Sequence, residues 1–393
     1  MHFCLVGPTY PFRGGIAHYT SMLALQLRQH GHKVSLCSFS RGYPQLLYPG
    51  RTDRDPSRQP LRVQVQYLIN PWHPWTWKQV ANCIAADRPD AVLIEWWVPY
   101  WAPMHITIAK QLRRLGVPTF IDCQNVLPHE SHPLDRTLTR LTLRQAHACI
   151  IYSIAHRQEL LDVVPGVPHA LVPFPAYDSL ARAIPDRCEA RRQLELDGHV
   201  ALFFGFVRPY KGLSVLLRAA AQVIQRLPFH LLIVGEFWHG GSDYRRTITD
   251  LGIESNTTVV DRYVPDEELG LYFAAADVVV MPYLASVQSG VLALAQAFQK
   301  PVIASRVGGL EEGIVDGQTG LLVEPNNVIE LAKAIFRFFK ENLGQTMAPY
   351  LQAITPDADW ELVIKALVDL SVAARAGSLA GWSAVYGQNR DGC

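Results

Sequence analysis

The stretch Phe203-Phe-Gly-Phe-Val-Arg-Pro-Tyr-Lys-Gly212 decides how the rest of this 393-residue chain is read. The apolar run over residues 199–206 has the character of a buried parallel strand. Gly205 breaks it, Pro209 stiffens the turn, and Gly212 opens an amphipathic helix over residues 213–227. The turn therefore stands at a strand's carboxyl end, the edge along which open α/β sheets bind ligands. Arg208 and Lys211 place two permanent cations there, three residues apart. A planar fork of donors beside a mobile point charge suits a phosphate or diphosphate held while charge builds on it. A solvated basic loop is the alternative reading of the same residues.

Outward from this turn, strands and helices alternate on both sides. Strands are predicted at 230–235, 257–264, 277–283 and 301–305, with helices at 266–276 and 289–298. Toward the amino terminus, strands at 2–7, 33–39, 91–95, 118–123 and 149–153 accompany helices at 16–30, 133–148 and 156–163. Alternation of this kind implies parallel, doubly wound sheets. The length exceeds one ordinary core, so two Rossmann-like domains of about 180 residues are expected to face each other across a cleft. The proline-dense segment 165–175 and residues 178–187 read as the linker, giving domains at 1–178 and 179–358, a final helix at 359–376 and a loosely ordered tail at 377–393.

Composition narrows the function. Residues 1–180 hold 17 Lys and Arg against 11 Asp and Glu, a balance of +6, and the remaining 19 against 24 give −5. The first half can face an anionic acceptor or a membrane surface, but the excess is too small to argue for nucleic acid. The seven cysteines are odd in number and show no CxxC spacing, which fits buried free thiols and a cytoplasmic setting better than a disulfide frame or a zinc site. The start carries no signal-peptide pattern, and the apolar runs fall short of the roughly 20 residues that span a bilayer. The helix over 133–148 places Arg136, Arg140 and Arg144 on one side, a solvated face or, in a second reading, a peripheral membrane contact.

Other predicted carboxyl-end loops supply the remaining candidates. Gly14-Gly15 after the first strand lets backbone N–H groups approach an anion. Gly235-Glu236, Tyr263-Val264 and the segment Gln288-Ser289-Gly290-Val291 follow strands of the second half. The last opens a helix, whose first amides and dipole make a second anion site. In the first half, Gln124, Asn125, His129 and Glu130 follow a strand, and imidazole beside a carboxylate is a candidate acid/base or substrate-binding pair. Six of the nine tryptophans fall between Trp72 and Trp101. Of these, Trp96 and Trp97 could stack on an acceptor, with packing between helix and sheet as the alternative. Asp357-Ala-Asp359 matches DxD but reads as a helix N-cap.

Taken together, Arg13-Gly-Gly-Ile16, the loop 204–212, Val234-Gly-Glu-Phe-Trp238, Gln288-Ser-Gly-Val-Leu-Ala-Leu-Ala295, Gly308-Gly-Leu-Glu-Glu312 and Asp316-Gly-Gln-Thr-Gly-Leu-Leu322 resemble glycosyltransferase family 4, retaining enzymes of the GT-B fold. The likeness runs over nearly all of residues 1–375. It implies that Arg208 and Lys211 hold the diphosphate of a nucleotide-sugar donor, that Ser289 to Val291 cap it, and that Gly14 and Gly15 close over it. Gly205, Glu236, Tyr263, Val264 and Gln288 complete the implied donor site. Gln124 and His129 join the two cations in catalysis, and Trp96, Trp97, Asn125 and Glu130 meet a glycan, lipid-linked or small-molecule acceptor. No metal or other cofactor is implied, and retention is expected from front-face attack with the departing phosphate taking the acceptor's proton.

Four positions depart from the family pattern. Ser286 and Leu294 stand where two glutamates are usual, Gln124 where a histidine is frequent, and Phe206 where an arginine is common. These departures keep open a catalytically silent nucleotide-sugar-binding subunit of a polysaccharide or glycolipid assembly system. An epimerase on the same fold would need a carboxylate cluster that Glu95, Glu130 and Glu236 do not make.

Overall fold

Parallel sheets buried on both faces demand near-continuous apolar strands, and the computed structural model shows two of them. It describes all residues except 43–47, 49, 129–131, 183, 239, 355, 388–393 and the side chain of Pro356. The first sheet contains β1 (His2–Val6), β2 (Lys33–Phe39), β3 (Gln66–Ile69), β4 (Ala91–Trp96), β5 (Thr119–Cys123), β6 (Ala148–Ile151) and β7 (His169–Leu171). The second contains β8 (His199–Phe204), β9 (Phe229–Val234), β10 (Thr257–Val260), β11 (Val278–Met281), β12 (Val302–Ser305) and β13 (Gly320–Val323). A last strand, β14 (Ser383–Val385), returns to the first sheet. The orders are β14-β7-β6-β5-β4-β1-β2-β3 and β10-β9-β8-β11-β12-β13.

Each order reverses once. The chain runs outward from β1 to β3 and comes back to β4 beside β1; it then runs outward from β8 to β10 and comes back to β11 beside β8. Crevices open at such reversals, outside the carboxyl ends of the strands. The loops after β1 and β8 therefore start at the two switch points and face one another. Apolar packing continues between the lobes, since Tyr19, Tyr177, Val291 and Trp360 belong to one buried cluster.

Several expectations need correction. The segment read as linker contains β7, because His169–Leu171 pairs in register with β6 and β14 while the flanking prolines confine it to three residues. The tail is not loose as far as it is described: Ser383–Val385 pairs with β7, and Trp382 and Tyr386 pack on the buried core. Helices Pro74–Ala86, Ala102–Arg114 and Gly241–Asp250 were not anticipated; the first two begin with Pro in the first turn, where its missing N–H is harmless. Asp357 and Asp359 lie inside the first turn of the last helix, Pro356–Arg375, rather than capping it, and there acidic side chains oppose the positive end of the dipole. That helix reaches the first lobe. The indole N–H of its Trp360 donates to Ala176 O at 3.3 Å, its ring lies 5.5 Å from Tyr19, and Arg375 pairs with Asp90.

The basic helix is shorter than expected, Asp135–Leu143. Arg136 donates to Asp162 O at 2.6 Å and Arg140 to Val163 O at 3.0 Å, so both guanidinium groups cap the end of helix Ile154–Val163. Their charge serves a neighbour and not a free cationic face.

Candidate active site

A cavity of about 270 Å³ lies where the two switch points meet. The loop after β8 forms its cationic side. Gly212 ends this loop at φ +70°, and a Cβ there would run into the Pro282 carbonyl oxygen of the next switch-point loop. Gly205, at φ +94°, leaves room for Lys211, whose Nζ lies 2.9 Å from where a Cβ would sit. Lys211 is 7% exposed. Burial, and then the charge of Arg208, pull its ammonium down to about 7. Among the described residues no carboxylate pairs with it; its nearest aromatic partner is the Tyr283 ring at 5.5 Å. The Arg208 guanidinium lies over the rings of Tyr210 and Trp238, at 5.2 and 5.3 Å.

Opposite these cations stands helix Gly290–Ala297. Ser289 is its N-cap and its hydroxyl accepts the Val291 N–H at 3.2 Å, so Val291's amide is already satisfied and is not one of the open donors expected from the sequence. Tyr177, from the linker, covers the same helix start. Its ring would lie 3.3 Å from a Cβ at residue 290, its N–H donates to Ala293 O and its hydroxyl donates to Gly15 O at 3.2 Å. One buried tyrosine thus ties both glycine-bearing helix starts together. Sequence reading missed it, because Pro175-Ala-Tyr177 carries no signal apart from its place beside the linker prolines.

From the first lobe, Gly14, Gly15, His18 and Asn125 line the cavity. The Gly14 N–H donates to the Tyr263 hydroxyl at 3.3 Å. Glu236, Val264, Gln288, Ser289, Gly290 and Val291 also line it, as do Gly205, Arg208 and Lys211. Glu236, however, is committed: Arg13 donates to it twice, at 2.6 and 3.0 Å, and the Arg51 N–H donates at 2.6 Å. Burial opposes its ionisation, but these partners outweigh burial and hold the carboxyl below its ordinary value. Arg13 is in turn enclosed by the rings of Tyr48, Phe206 and Tyr263 at 5.1 to 5.4 Å. Phe206, where an arginine was the familiar residue, is therefore part of the cage around Arg13.

A second interlobe contact joins His18 Nε2 to Asp266 at 2.9 Å, with Asp55 at 3.7 Å. Burial opposes the imidazolium, but the charge and hydrogen bond of Asp266, with Asp55, raise His18 above its ordinary value. The three side chains have the mutual spacing of metal ligands, within 4.8 Å, and a charged imidazole between two carboxylates accounts for the group as an ion pair. His18 lies three residues after Gly15, on the inward side of the first helix, which is the signal that could have found it.

Gln124 is buried behind the cavity. Its side-chain amide donates to Glu95 at 3.1 Å, and its backbone carbonyl accepts from the Gln288 side chain at 3.1 Å. It is therefore a link between lobes. Glu95 sits beside Asp122, and burial raises both carboxyls. Trp96 is 0% exposed and its indole N–H donates to Val126 O, so it is core and cannot stack on an acceptor. Trp97 packs half-buried on Phe39 and His105, outside the cavity lining. His129 and Glu130 lie outside the described residues. Leu294 reaches the cavity with Phe204, Val264 and Leu269, which makes that wall apolar.

Comparison with known proteins agrees with this geometry. The sequence profile of a glycosyl transferase 4-like domain matches residues 14–176, and that of glycosyl transferases group 1 matches residues 198–341. A D-inositol 3-phosphate glycosyltransferase of Acidothermus cellulolyticus is 31% identical over 90% of this chain and 84% of its own length. The corresponding protein of Corynebacterium urealyticum is 35% identical over 46% of this chain and 45% of its own length. Among solved structures, sucrose-phosphate synthase from Thermosynechococcus elongatus superposes with a TM-score of 0.70 at 21% identity, covering 96% of this chain and all of that one. Anabaena Alr3699/HepE in complex with UDP gives 0.72 at 18% identity, covering 94% and 100%. Two parallel-sheet lobes, a cation-bearing crevice at their switch points and a full-length relative together place the chain in glycosyltransferase family 4, a GT-B glycosyltransferase.

Proposed function

We propose that the protein moves a sugar, with retention, from a nucleotide-diphosphate donor to an acceptor presented from the first lobe. The observation that carries this is Lys211, a buried ammonium with no carboxylate partner among the described residues, beside Arg208 and opposite a helix start in the interlobe cavity. A diphosphate supplies the missing charge. Lys211 and Arg208 then hold the bridging and terminal oxygens as the sugar–oxygen bond breaks, and their attraction grows as charge collects on the leaving group. Charge neutralisation by these two side chains makes a divalent metal unnecessary in this reading, and activity undiminished by a chelator is the expected result. Gly14 and Gly15 bring unhindered backbone over the donor, and the apolar wall at Leu294 packs against it. A glycan or lipid-linked acceptor enters beside Asn125, and its hydroxyl proton leaves with the phosphate oxygen. The relatives whose names include an inositol phosphate acceptor make a small polyol a further candidate. Calorimetry with a panel of nucleoside diphosphates tests the site. The wild type should bind at least one of them, and Arg208→Ala with Lys211→Ala should abolish that binding; equal binding by both proteins would refute the assignment.

A further inference from the structure

Beyond the cleft, a second part of the surface concentrates unusual chemistry. Over residues 41–86 every Lys and Arg is exposed (Arg41, Arg51, Arg54, Arg58, Arg62 and Lys78), while the acids of that span, Asp53 and Asp55, are half-buried and buried. Arg51 and Arg54 face Asp261 and Asp53; the other four form no ion pair among the described residues. Set among these cations are large apolar side chains in water: Trp75 is 71% exposed, and Tyr67, Tyr100 and Trp72 are each about 40% exposed.

Rings and cations meet at several points. Trp72 lies 6.2 Å from Tyr100, and its indole N–H donates to Gly42 O, beside Arg41. Tyr67 donates to Tyr10 O, and Arg62 lies over the Tyr10 ring at 5.5 Å. Trp75 stacks on His73 at 4.9 Å. Tyr67 belongs to β3, the edge strand, Trp72 and Trp75 follow it, and Tyr100 follows β4. This is the carboxyl edge of the first sheet, which also carries the cleft.

Single exposed aromatics need no explanation, but a cluster rimmed by unpaired cations marks a contact surface. Trp and Tyr, with an apolar body and a polar edge, favour the headgroup layer of a bilayer, and each Lys or Arg near an anionic leaflet adds to the attraction. Nucleic acid would use the cations and could stack on Trp75, but it would leave Leu68 in water, and a balance of +6 over the first half is small for such a partner. A second copy of the chain would bring like charge against like. We propose that this face docks the protein on an anionic phospholipid surface, with the mouth of the cleft at the membrane. The docking stands independently of the transferase reading; only the delivery of a lipid-linked acceptor to the cleft rests on it.

The experiment is co-sedimentation of the full chain with vesicles of phosphatidylcholine, alone or with roughly a third phosphatidylglycerol, at low and high salt. The wild type should pellet with the anionic vesicles at low salt and remain in solution with the neutral ones. Arg58→Glu with Arg62→Glu should reduce partitioning more than tenfold, and Trp72→Ser with Trp75→Ser about as much, whereas Lys333→Glu on the second lobe should change little. None of these side chains lines the donor cavity, so retained nucleoside diphosphate binding shows that each variant is folded; should the double tryptophan variant not fold, Trp75→Ser alone serves. Absence of wild-type binding to anionic vesicles overturns the proposal. So does equal binding by the variants, equal loss in Lys333→Glu, or self-association through this face without lipid binding. Failure of nucleoside diphosphate binding in the wild type would count against the transferase reading and leave the docking result to stand or fall by itself.

Discussion

Arg13, next to the cavity-lining Gly14, and Lys211, in the cavity wall, are two buried cations treated in opposite ways. Arg13 has its counter-charge inside the protein: Glu236 accepts two hydrogen bonds from it and three aromatic rings enclose it. Lys211 has no carboxylate partner among the described residues, and burial with Arg208 nearby lowers its pKa to about 7. A charge neutralised within the fold links the two lobes, whereas Lys211 is the charge that the proposed diphosphate would match. Structure and function divide along that line.

The largest expected effect breaks the structural side of this pair. Glu236→Gln leaves a guanidinium buried with no counter-charge, and removing one partner of such a pair destabilises by roughly 3–5 kcal/mol. Denaturant unfolding measures it. Arg13→Met with Glu236→Met, which removes both charges, should recover most of the loss; a Glu236→Gln penalty below about 1 kcal/mol would show that the pair contributes little.

Next comes the functional side. Lys211→Met should leave the fold intact or stabilise it, because an unpaired buried ammonium is removed, while transfer falls by about 10²–10³, the effect of losing one donor to a developing anion. Steady-state rates beside an unfolding curve test this. A variant that is destabilised and fully active would reverse the assignments of the two cations.

The smallest effect sharpens the contrast through pH. A bound diphosphate raises the Lys211 pKa above its free value of about 7, so donor binding takes up a proton at higher pH. Affinity for an intact nucleotide-sugar, whose own charge is constant in this range, is then level below pH 7. It falls as pH rises, approaching tenfold per unit until the pKa of the bound form is passed. Lys211→Met should flatten the profile, and calorimetry between pH 6 and 9 records both curves.

Much of this site was readable beforehand because its parts are local. A strand, a glycine, a proline and two cations fall within ten residues, and the turn after β8 brings both cations into the lining of the interlobe cavity. The same locality misled elsewhere. Trp96 and Trp97 looked like an acceptor platform, yet alternation along β4 and its end turns one ring fully into the core and leaves the other half-covered. Glu236 looked free to bind a donor until Arg13, 223 residues away in sequence, closed on it. The three-residue strand β7 looked like a linker because prolines flank it, and only pairing on both sides makes it a strand.

By itself the sequence determined the α/β rhythm, the strand-end loops and the chemistry of Arg208 and Lys211, since periodicity and turn residues act over a few positions. Tertiary structure alone decided which cations are matched, how Tyr177, His18 and Asp266 bridge the lobes, and which tryptophans meet water. Those outcomes depend on burial and on partners distant along the chain, and no local pattern encodes the field that a folded neighbour supplies.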